Sequence, residues 1–316
     1  MSSTLLICSG GGHLKQLFTL APRLGIAPEK QLWATFENGL STSLLADRRV
    51  VYVPFAAPRA AFAAARIARI VRRLLETEDI EAVVSTGSSP AVAALPQAAQ
   101  RGIPAHYIES AARADGPSLS GKLVSRFRRI DTYTQYPAWV GDRWRFGGAI
   151  FDAFAPGEVH ERPVRRAVVS LGTQDGYRFD RLLRVLVPLL AGMEVVWQTG
   201  PEDVSAYGID GRASVPHAEL AQAVAEADVV IAHAGVGAAV TAIEAGKHPI
   251  LVPRLARFKE HIDDHQTQIA DELTRRGLAS RVDPENLDLE ALHAAAARSA
   301  VPVAAPPFQL VPGVAA

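Results

Sequence analysis

Cysteine is almost absent. Cys8 is the single cysteine in 316 residues, which excludes an internal disulfide framework and a Cys-rich zinc site and fits a reducing compartment. A net charge is absent too, since 33 Lys and Arg balance 33 Asp and Glu. Long apolar runs are missing: the longest uncharged stretches, 82–100 among them, carry Gly, Ser, Pro and Gln, so no spanning helix of about 20 apolar residues is expected. The first nine residues have no basic region ahead of an apolar run and read as the start of a strand, so no signal peptide is expected.

What is present is the composition of a folded protein, 48% hydrophobic and 21% charged, in a length that fits two domains of about 150 residues. The zero balance hides an asymmetry. Residues 1–150 hold 18 Lys and Arg against 11 Asp and Glu, whereas residues 151–316 hold 15 against 22. A basic half points to an anionic partner or surface, and an acidic half argues against nucleic acid along the whole chain.

Short apolar runs alternate with longer helical patterns, the signature of an α/β protein with parallel strands. Strands are predicted over 4–8, 31–36, 50–53, 81–85, 105–108 and 131–134, with helices over 13–24, 60–76, 90–101 and 118–127. The polar, proline-containing stretch 152–165 reads as a linker between a domain at 1–151 and a second at 166–298. The second domain is predicted to carry strands at 167–171, 194–198, 213–215, 229–232, 250–252 and 279–281 and helices at 180–190, 220–225, 238–244 and 264–276. Residues 299–316 read as an irregular tail, with room to cross back onto the first domain.

Each half opens with a strand that ends in glycines. Gly10, Gly11 and Gly12 follow the first strand, where backbone N–H groups can approach a ligand and a helix N-terminus favours negative charge. His13 stands next in line and can serve as a general base near neutral pH. Gly10 and Gly12 also make a partial dinucleotide motif, but Lys15 occupies the place of its third glycine. In the second half, Gly172, Thr173 and Gln174 follow one strand, and His233 through Gly235 to Gly237 follow another; either loop can cradle a phosphate or be an ordinary strand–helix turn. Glu244 lies seven residues past Gly237, close to two helical turns, and can accept hydrogen bonds from ribose hydroxyls or be a solvated glutamate.

The densest polar cluster is His261 to Gln266. His261 and His265 have the spacing of two ligands on one helix, but Ile262 replaces the glutamate of a zinc protease motif and no third ligand is evident, so no metal is expected. Asp264, His265 and Gln266 suit hydrogen bonding to a sugar better. The helix at 60–76 places Arg66, Arg69 and Arg73 on one face and Phe62, Ile67, Ile70, Val71 and Leu74 on a broad apolar side. Such a helix packs on a sheet with its arginines in water or lies on an anionic membrane. Lys122, Arg126, Arg128 and Arg129 add a second basic cluster in the same half.

Several ordered motifs together resemble a known family. The first half is similar to Alg14 in Ser9–His13, in Ser85-Thr86-Gly87, in Tyr107-Ile108-Glu109-Ser110, in Ser118 to Leu123 and in Gln135. The second half is similar to Alg13 and to the glycosyltransferase family 28 C-terminal domain in Gly172-Thr173-Gln174, Phe179 to Leu182, Ala227-Asp228, His233-Ala234-Gly235, Glu244 and Asp264-His265-Gln266. The chain resembles a fusion of these two subunits, bacterial exopolysaccharide transferases on that plan and, more distantly, the peptidoglycan transferase MurG.

The resemblance implies a GT-B fold, two Rossmann-like domains facing across a cleft, and an inverting transfer with no cofactor and no required metal. It implies a UDP-sugar donor, a polyprenyl-diphosphate-linked acceptor in surface polysaccharide synthesis and a cytoplasmic enzyme peripherally attached to the inner membrane face. His13 and Glu109 are then the candidate catalytic residues. Gly172, Thr173, Gln174, His233, Gly235, Gly237, Glu244, Asp264, His265 and Gln266 are expected to bind the donor, with Gly10, Gly11, Gly12, Ser118 and Lys122 on the acceptor side. The loop reads SGGGH where the family has GSGGH, and the two subunits are fused. The alternatives are a non-hydrolysing UDP-sugar epimerase, a non-catalytic UDP-sugar-binding protein and an NAD enzyme.

Overall fold

The computed structural model describes residues 2–56, 61–172 and 176–310. The chain forms two units, one running to Asp152 and joined by the tail from Ala305, the other spanning Ala153–Ala304.

The first unit contains β1 (Ser3–Cys8), α1 (Gly12–Leu20), β2 (Gln31–Phe36), α2 (Gly39–Leu44), β3 (Arg49–Val53), α3 (Ala61–Thr77), β4 (Ile80–Gly87), α4 (Ser89–Gln100), β5 (Ala105–Ile108), α5 (Leu119–Val124), β6 (Ile130–Thr134) and β7 (Trp144–Phe146). Its seven strands are parallel in the order β3-β2-β1-β4-β5-β6-β7. Every residue of β1 and β2 is buried, which explains their continuous apolar character: helices cover both faces of a parallel sheet. Ile67, Val71 and Leu74 form the buried stripe of α3, and Ala91, Ala94, Leu95 and Ala98 that of α4, in one core with Leu5, Ile7 and Val83. Each large aliphatic side chain so buried contributes about 1.5–3 kcal/mol.

The second unit contains β8 (Phe154–Pro156), β9 (Arg166–Ser170), α6 (Asp180–Leu189), β10 (Glu194–Gln198), β11 (Gly211–Arg212), α7 (His217–Glu226), β12 (Val229–His233), α8 (Val236–Glu244), β13 (Ile250–Val252), α9 (His265–Arg275), β14 (Ser280–Arg281), α10 (Leu289–Ala296) and β15 (Ala300–Pro302). Its parallel sheet has the order β11-β10-β9-β12-β13-β14. Both sheets therefore follow the Rossmann order, and in each the chain reverses direction of travel beside its first strand, at β1/β4 and at β9/β12.

Several expectations are corrected. The segment 152–165 is more than a linker: β8 pairs antiparallel with β15, and Gly157 N–H and His160 N–H donate to Ser299 and Ala297 carbonyls at 2.9 and 2.8 Å. The same pairing gives the expected irregular tail a strand at its start. Helix α1 stops at Leu20 and gives way to a short 3₁₀ turn over Ala21–Leu24 that contains Pro22, rather than running to 24. Phe62 is 92% exposed and lies off the buried stripe of α3. Helices α2 and α10 and strand β7 were not predicted. Residues 289–296 are rich in alanine, which gives a weak periodic contrast.

The tail returns to the first unit. Phe308 is buried there, its ring 5.8 Å from that of Tyr133, and its N–H donates to the Arg23 carbonyl at 2.9 Å while Gln309 N–H donates to Gly147. Phe308→Ala is expected to destabilise the first unit by about 3 kcal/mol. A drop in the urea midpoint checks this, and an unchanged midpoint would show that the tail adds nothing to the core.

Candidate functional site

In the first unit the candidate residues gather at the switch point. Ser9 N–H donates to the Gly87 carbonyl at 2.9 Å, which ties the end of β1 to the end of β4. His13, one residue into α1, places Nδ1 2.6 Å from the Thr86 carbonyl, and the Thr86 hydroxyl returns a bond to the His13 carbonyl at 2.8 Å. A carbonyl only accepts, so Nδ1 carries the proton and Nε2 is the basic nitrogen of the neutral ring. Gly87 makes this possible: its φ is +112°, and a Cβ there would stand 2.8 Å from His13 Cε1. Gly11 caps α1 at φ 67° with no side-chain cap, so the first N–H groups of α1 are left for other acceptors. Gly10 packs against Asn38, which caps α2 with a reciprocal bond to Ser41.

Glu109 has a different place from the one expected. It is fully buried, and its two oxygens accept from Ser110 N–H (2.9 Å), the Tyr107 hydroxyl (3.2 Å), Ser118 N–H (2.9 Å) and the Ser118 hydroxyl (3.0 Å). Burial pushes its carboxyl up, and those four bonds oppose the rise. Those four bonds occupy the lone pairs of its carboxylate. It positions the β5–α5 connection: Ser118 caps α5 through Gly121 N–H, and a Cβ on Gly121 would stand 2.2 Å from Glu109 Oε2. Ser118 is thus a cap held by Glu109. Lys122 is exposed on the outer side of α5 and joins none of this.

Two buried glutamines tie this network to the glycine loop. Gln16 Nε2 donates to the Gly12 carbonyl at 3.0 Å and the Ser110 hydroxyl at 3.1 Å, while its Oε1 accepts from Ala111 N–H at 2.8 Å. Gln135 Nε2 donates to the Glu109 carbonyl at 2.9 Å and its Oε1 accepts from Ile150 N–H at 2.9 Å.

The second unit repeats the arrangement with the roles of the strands exchanged. His233 ends β12, and its Nδ1 lies 3.2 Å from the Ser170 carbonyl at the end of β9. Gly172, at φ +84°, and Gly235 flank the ring: a Cβ on the first would stand 2.9 Å from Cε1 and on the second 2.3 Å from Nε2. The two glycine loops, distant in sequence, thus close on one imidazole. Burial first, then the Arg254 charge, pushes His233 down to about 3, so it is neutral at physiological pH. Gly235 caps α8 without a side-chain cap, and Gly237 lies in the first helical turn, so N–H groups there are open to an anion. Thr173 and Gln174 lie outside the described residues.

Arg254 was missed by sequence reading. It is buried beneath this loop, donating from Nη2 to the Leu171 carbonyl at 2.6 Å and from Nη1 to the Tyr177 carbonyl at 3.3 Å, with Phe179 5.3 Å from its guanidinium. Burial lowers its pKa, while Glu202 and Glu260 oppose that. Glu260 is itself held by a two-point ion pair with Arg181 (2.9 and 3.0 Å) and accepts from Leu255 N–H. Gln266 is buried and accepts from Arg254 N–H at 3.0 Å, so it anchors the chain just past the end of β13. His261 and His265 lie with rings 4.6 Å apart and both act on the charge of His233. Asp263 sits between them and accepts from His265 Nδ1. Burial, His265 and Arg254 push His261 down to about 4 against the pull of Asp263.

Glu244, expected at the ribose rather than the phosphate loop, is the last residue of α8 and exposed, about 14 Å along the helix axis from Gly235. Asp264 is exposed and accepts from Ala256 N–H at 2.7 Å, bracing a loop. No helix among the described residues is long and apolar enough to cross a membrane.

Comparison with known proteins bears on this geometry. Residues 167–301 match the model of the glycosyltransferase family 28 C-terminal domain. The chain is 28% identical to a UDP-N-acetylglucosamine--N-acetylmuramyl-(pentapeptide) pyrophosphoryl-undecaprenol N-acetylglucosamine transferase of Synechococcus elongatus, over 91% of this chain and 85% of that one. It is 40% identical over 58 residues, 18% of this chain and 28% of the relative, to the UDP-N-acetylglucosamine transferase subunit ALG13 of Yarrowia lipolytica. In three dimensions it is similar to MurG of Acinetobacter baumannii, with a TM-score of 0.56 and 20% identity over 92% of this chain and 88% of that one. The fold is GT-B.

The buried histidines set a pH dependence. His233 and His248 are held down to about 3 and about 4, chiefly by burial, against about 6.5 in the unfolded chain. The unfolded state then binds more protons below pH 6.5, so stability falls as pH drops from there toward 4 and is level above it. The urea midpoint should fall between pH 7.5 and pH 5, with a smaller fall in His248→Gln; equal falls would remove His248 from the account.

Proposed function

We propose that this chain, whose residues 167–301 are a glycosyltransferase family 28 C-terminal domain, transfers a sugar from a UDP-sugar to a polyprenyl-diphosphate-linked acceptor with inversion. The observation that carries the reading is the second switch point. A neutral His233 is fixed between Gly172 and Gly235, at the uncapped N-terminus of α8 and above the buried cation of Arg254. Open helix N–H groups and a fixed positive charge suit a diphosphate and the charge that builds on it as it leaves. UDP-N-acetylglucosamine is the donor favoured by the relatives' names.

In the proposed reaction His13 Nε2 takes the proton of the acceptor hydroxyl, whose oxygen attacks the anomeric carbon. The bond from that carbon to the diphosphate oxygen breaks, and UDP leaves with the electron pair. The Thr86 carbonyl holds the proton on Nδ1, which makes Nε2 the basic nitrogen. His265 and Gln266 line the sugar side of the donor site. No cofactor is invoked, and leaving-group charge is met by α8 and Arg254.

Attachment to the inner face of an anionic membrane belongs to this proposal. Phe55 and Phe62 are 72% and 92% exposed, and Arg66, Arg69, Arg72 and Arg73 of α3 are exposed as well. Leu119 and Phe127 lie exposed among Lys122, Arg126, Arg128 and Arg129. Aromatic side chains beside arginines fit a headgroup layer. Surface polysaccharide is the synthesis in which such an acceptor would be used.

His13→Ala should leave UDP affinity by calorimetry intact while lowering kcat by roughly 10²–10⁴-fold. Full turnover would remove His13 as the base. UDP should bind where NAD and ADP do not; binding of NAD instead would overturn the reading. Turnover of UDP-N-acetylglucosamine without an acceptor would favour an epimerase. Binding to vesicles of anionic lipid should weaken as salt rises, and binding indifferent to salt would overturn the electrostatic part.

A further inference from the structure

The loop before α9 carries a cluster of which the proposed reaction uses only His265. Its ligand-type atoms are His261 Nδ1, Asp263 Oδ1 and His265 Nδ1, which lie within 4.8 Å of one another. The side chain of His261 is only 8% exposed, yet its Nδ1 has no partner in hydrogen-bond geometry among the described residues; Asp263 Oδ1 stands 3.6 Å away. A buried polar nitrogen left without a partner calls for an occupant.

The cluster is held in place from several sides. The His261 ring stacks on Tyr177, 5.3 Å between centroids and 18° between planes. Glu260, next in sequence, is gripped by Arg181, and Asp264 is tied to Ala256 N–H at 2.7 Å. Lys259 turns the chain at φ 59°. Because α9 begins only at His265, the two imidazoles do not meet as neighbours on one helix. The loop folds back and brings Asp263 between them, supplying the third ligand that the sequence spacing alone did not reveal.

We propose that His261, Asp263 and His265 form a site for a late first-row divalent transition metal of the zinc class, with one coordination position open to water. Two imidazole nitrogens and one carboxylate suit zinc, cobalt or nickel, whereas magnesium and calcium require oxygen donors. Ligand bonds of about 2.0–2.1 Å place tetrahedral donors about 3.4 Å apart, within reach of modest side-chain rotation from the spacing seen here. In the metal-free form the His265 Nδ1 proton bridges to Asp263. The metal takes that place, and the imidazole proton then resides on Nε2 with no net proton released. A consequence rests on the proposed function: a metal that engages His265 draws it away from the donor sugar and weakens UDP-sugar binding.

The test uses the full chain, free of any histidine tag and stripped with chelator, titrated with Co²⁺. One equivalent should produce the visible absorption of low-symmetry cobalt, displaced by Zn²⁺ and not by Mg²⁺. His261→Ala should weaken Co²⁺ binding by roughly tenfold or more, and so should the near-isosteric Asp263→Asn, with unchanged far-ultraviolet circular dichroism. No cobalt spectrum, or the same spectrum and affinity in both variants, would overturn the site. Calorimetry of UDP-N-acetylglucosamine with and without Zn²⁺ separates the two readings. Weaker sugar-nucleotide binding with zinc supports the coupling, and equal binding overturns the coupling while the site stands. Absence of any UDP binding overturns the proposed function and leaves the cobalt result to decide the site.

Discussion

The structure turns on an imidazole bonded to a backbone carbonyl across the switch point of each sheet. In the first unit His13, reached from β1, bonds to Thr86 at the end of β4. In the second, His233 at the end of β12 bonds to Ser170 at the end of β9. Each ring lies against a glycine at positive φ, Gly87 or Gly172, whose missing side chain is what lets the ring in. At this point the helices leave a parallel sheet toward opposite faces and a crevice opens at the strand ends. The same constraint therefore sets where a ligand can enter, which tautomer each histidine holds and why the glycines stand where they do.

The two histidines then diverge through their surroundings. Burial first, and then the Arg254 charge, keep His233 neutral far below physiological pH. His13 stands at the start of α1 with its Nδ1 proton directed to the Thr86 carbonyl. One unit thus holds a buried cation beside its glycine loop, and the other a neutral imidazole beside its own.

Around these points lie buried polar networks that support position rather than chemistry. The Glu109 carboxylate accepts from Ser110 and Ser118 N–H, while Gln16 and Gln135 both donate to and accept from backbone groups of neighbouring loops. Glu260 does the same for Arg181 and Leu255. Removing one member strands the others in low dielectric, so these residues stiffen the loops they join. The tertiary contacts explain Glu109 and Ser118 as a carboxylate and the helix cap it holds.

Much was legible in the chain itself. Continuous apolar runs such as 4–8 and 31–36 read as buried parallel strands because both their faces are covered, and glycines after them marked the ligand-side loops. His13, His233, Gly172 and Gly235 were singled out on that ground, and the structure brings each to a switch point. Glu244, expected on the ribose side of the donor, closes α8 about 10 Å along the axis from Gly237. Arg254, and Asp263 as a partner of two histidines, carry no periodic or motif signal; their roles arise from a strand end and a folded-back loop. Local sequence determines backbone preference and which face is apolar, since those depend on near neighbours. Which buried charge lies under which loop is decided only when distant segments pack.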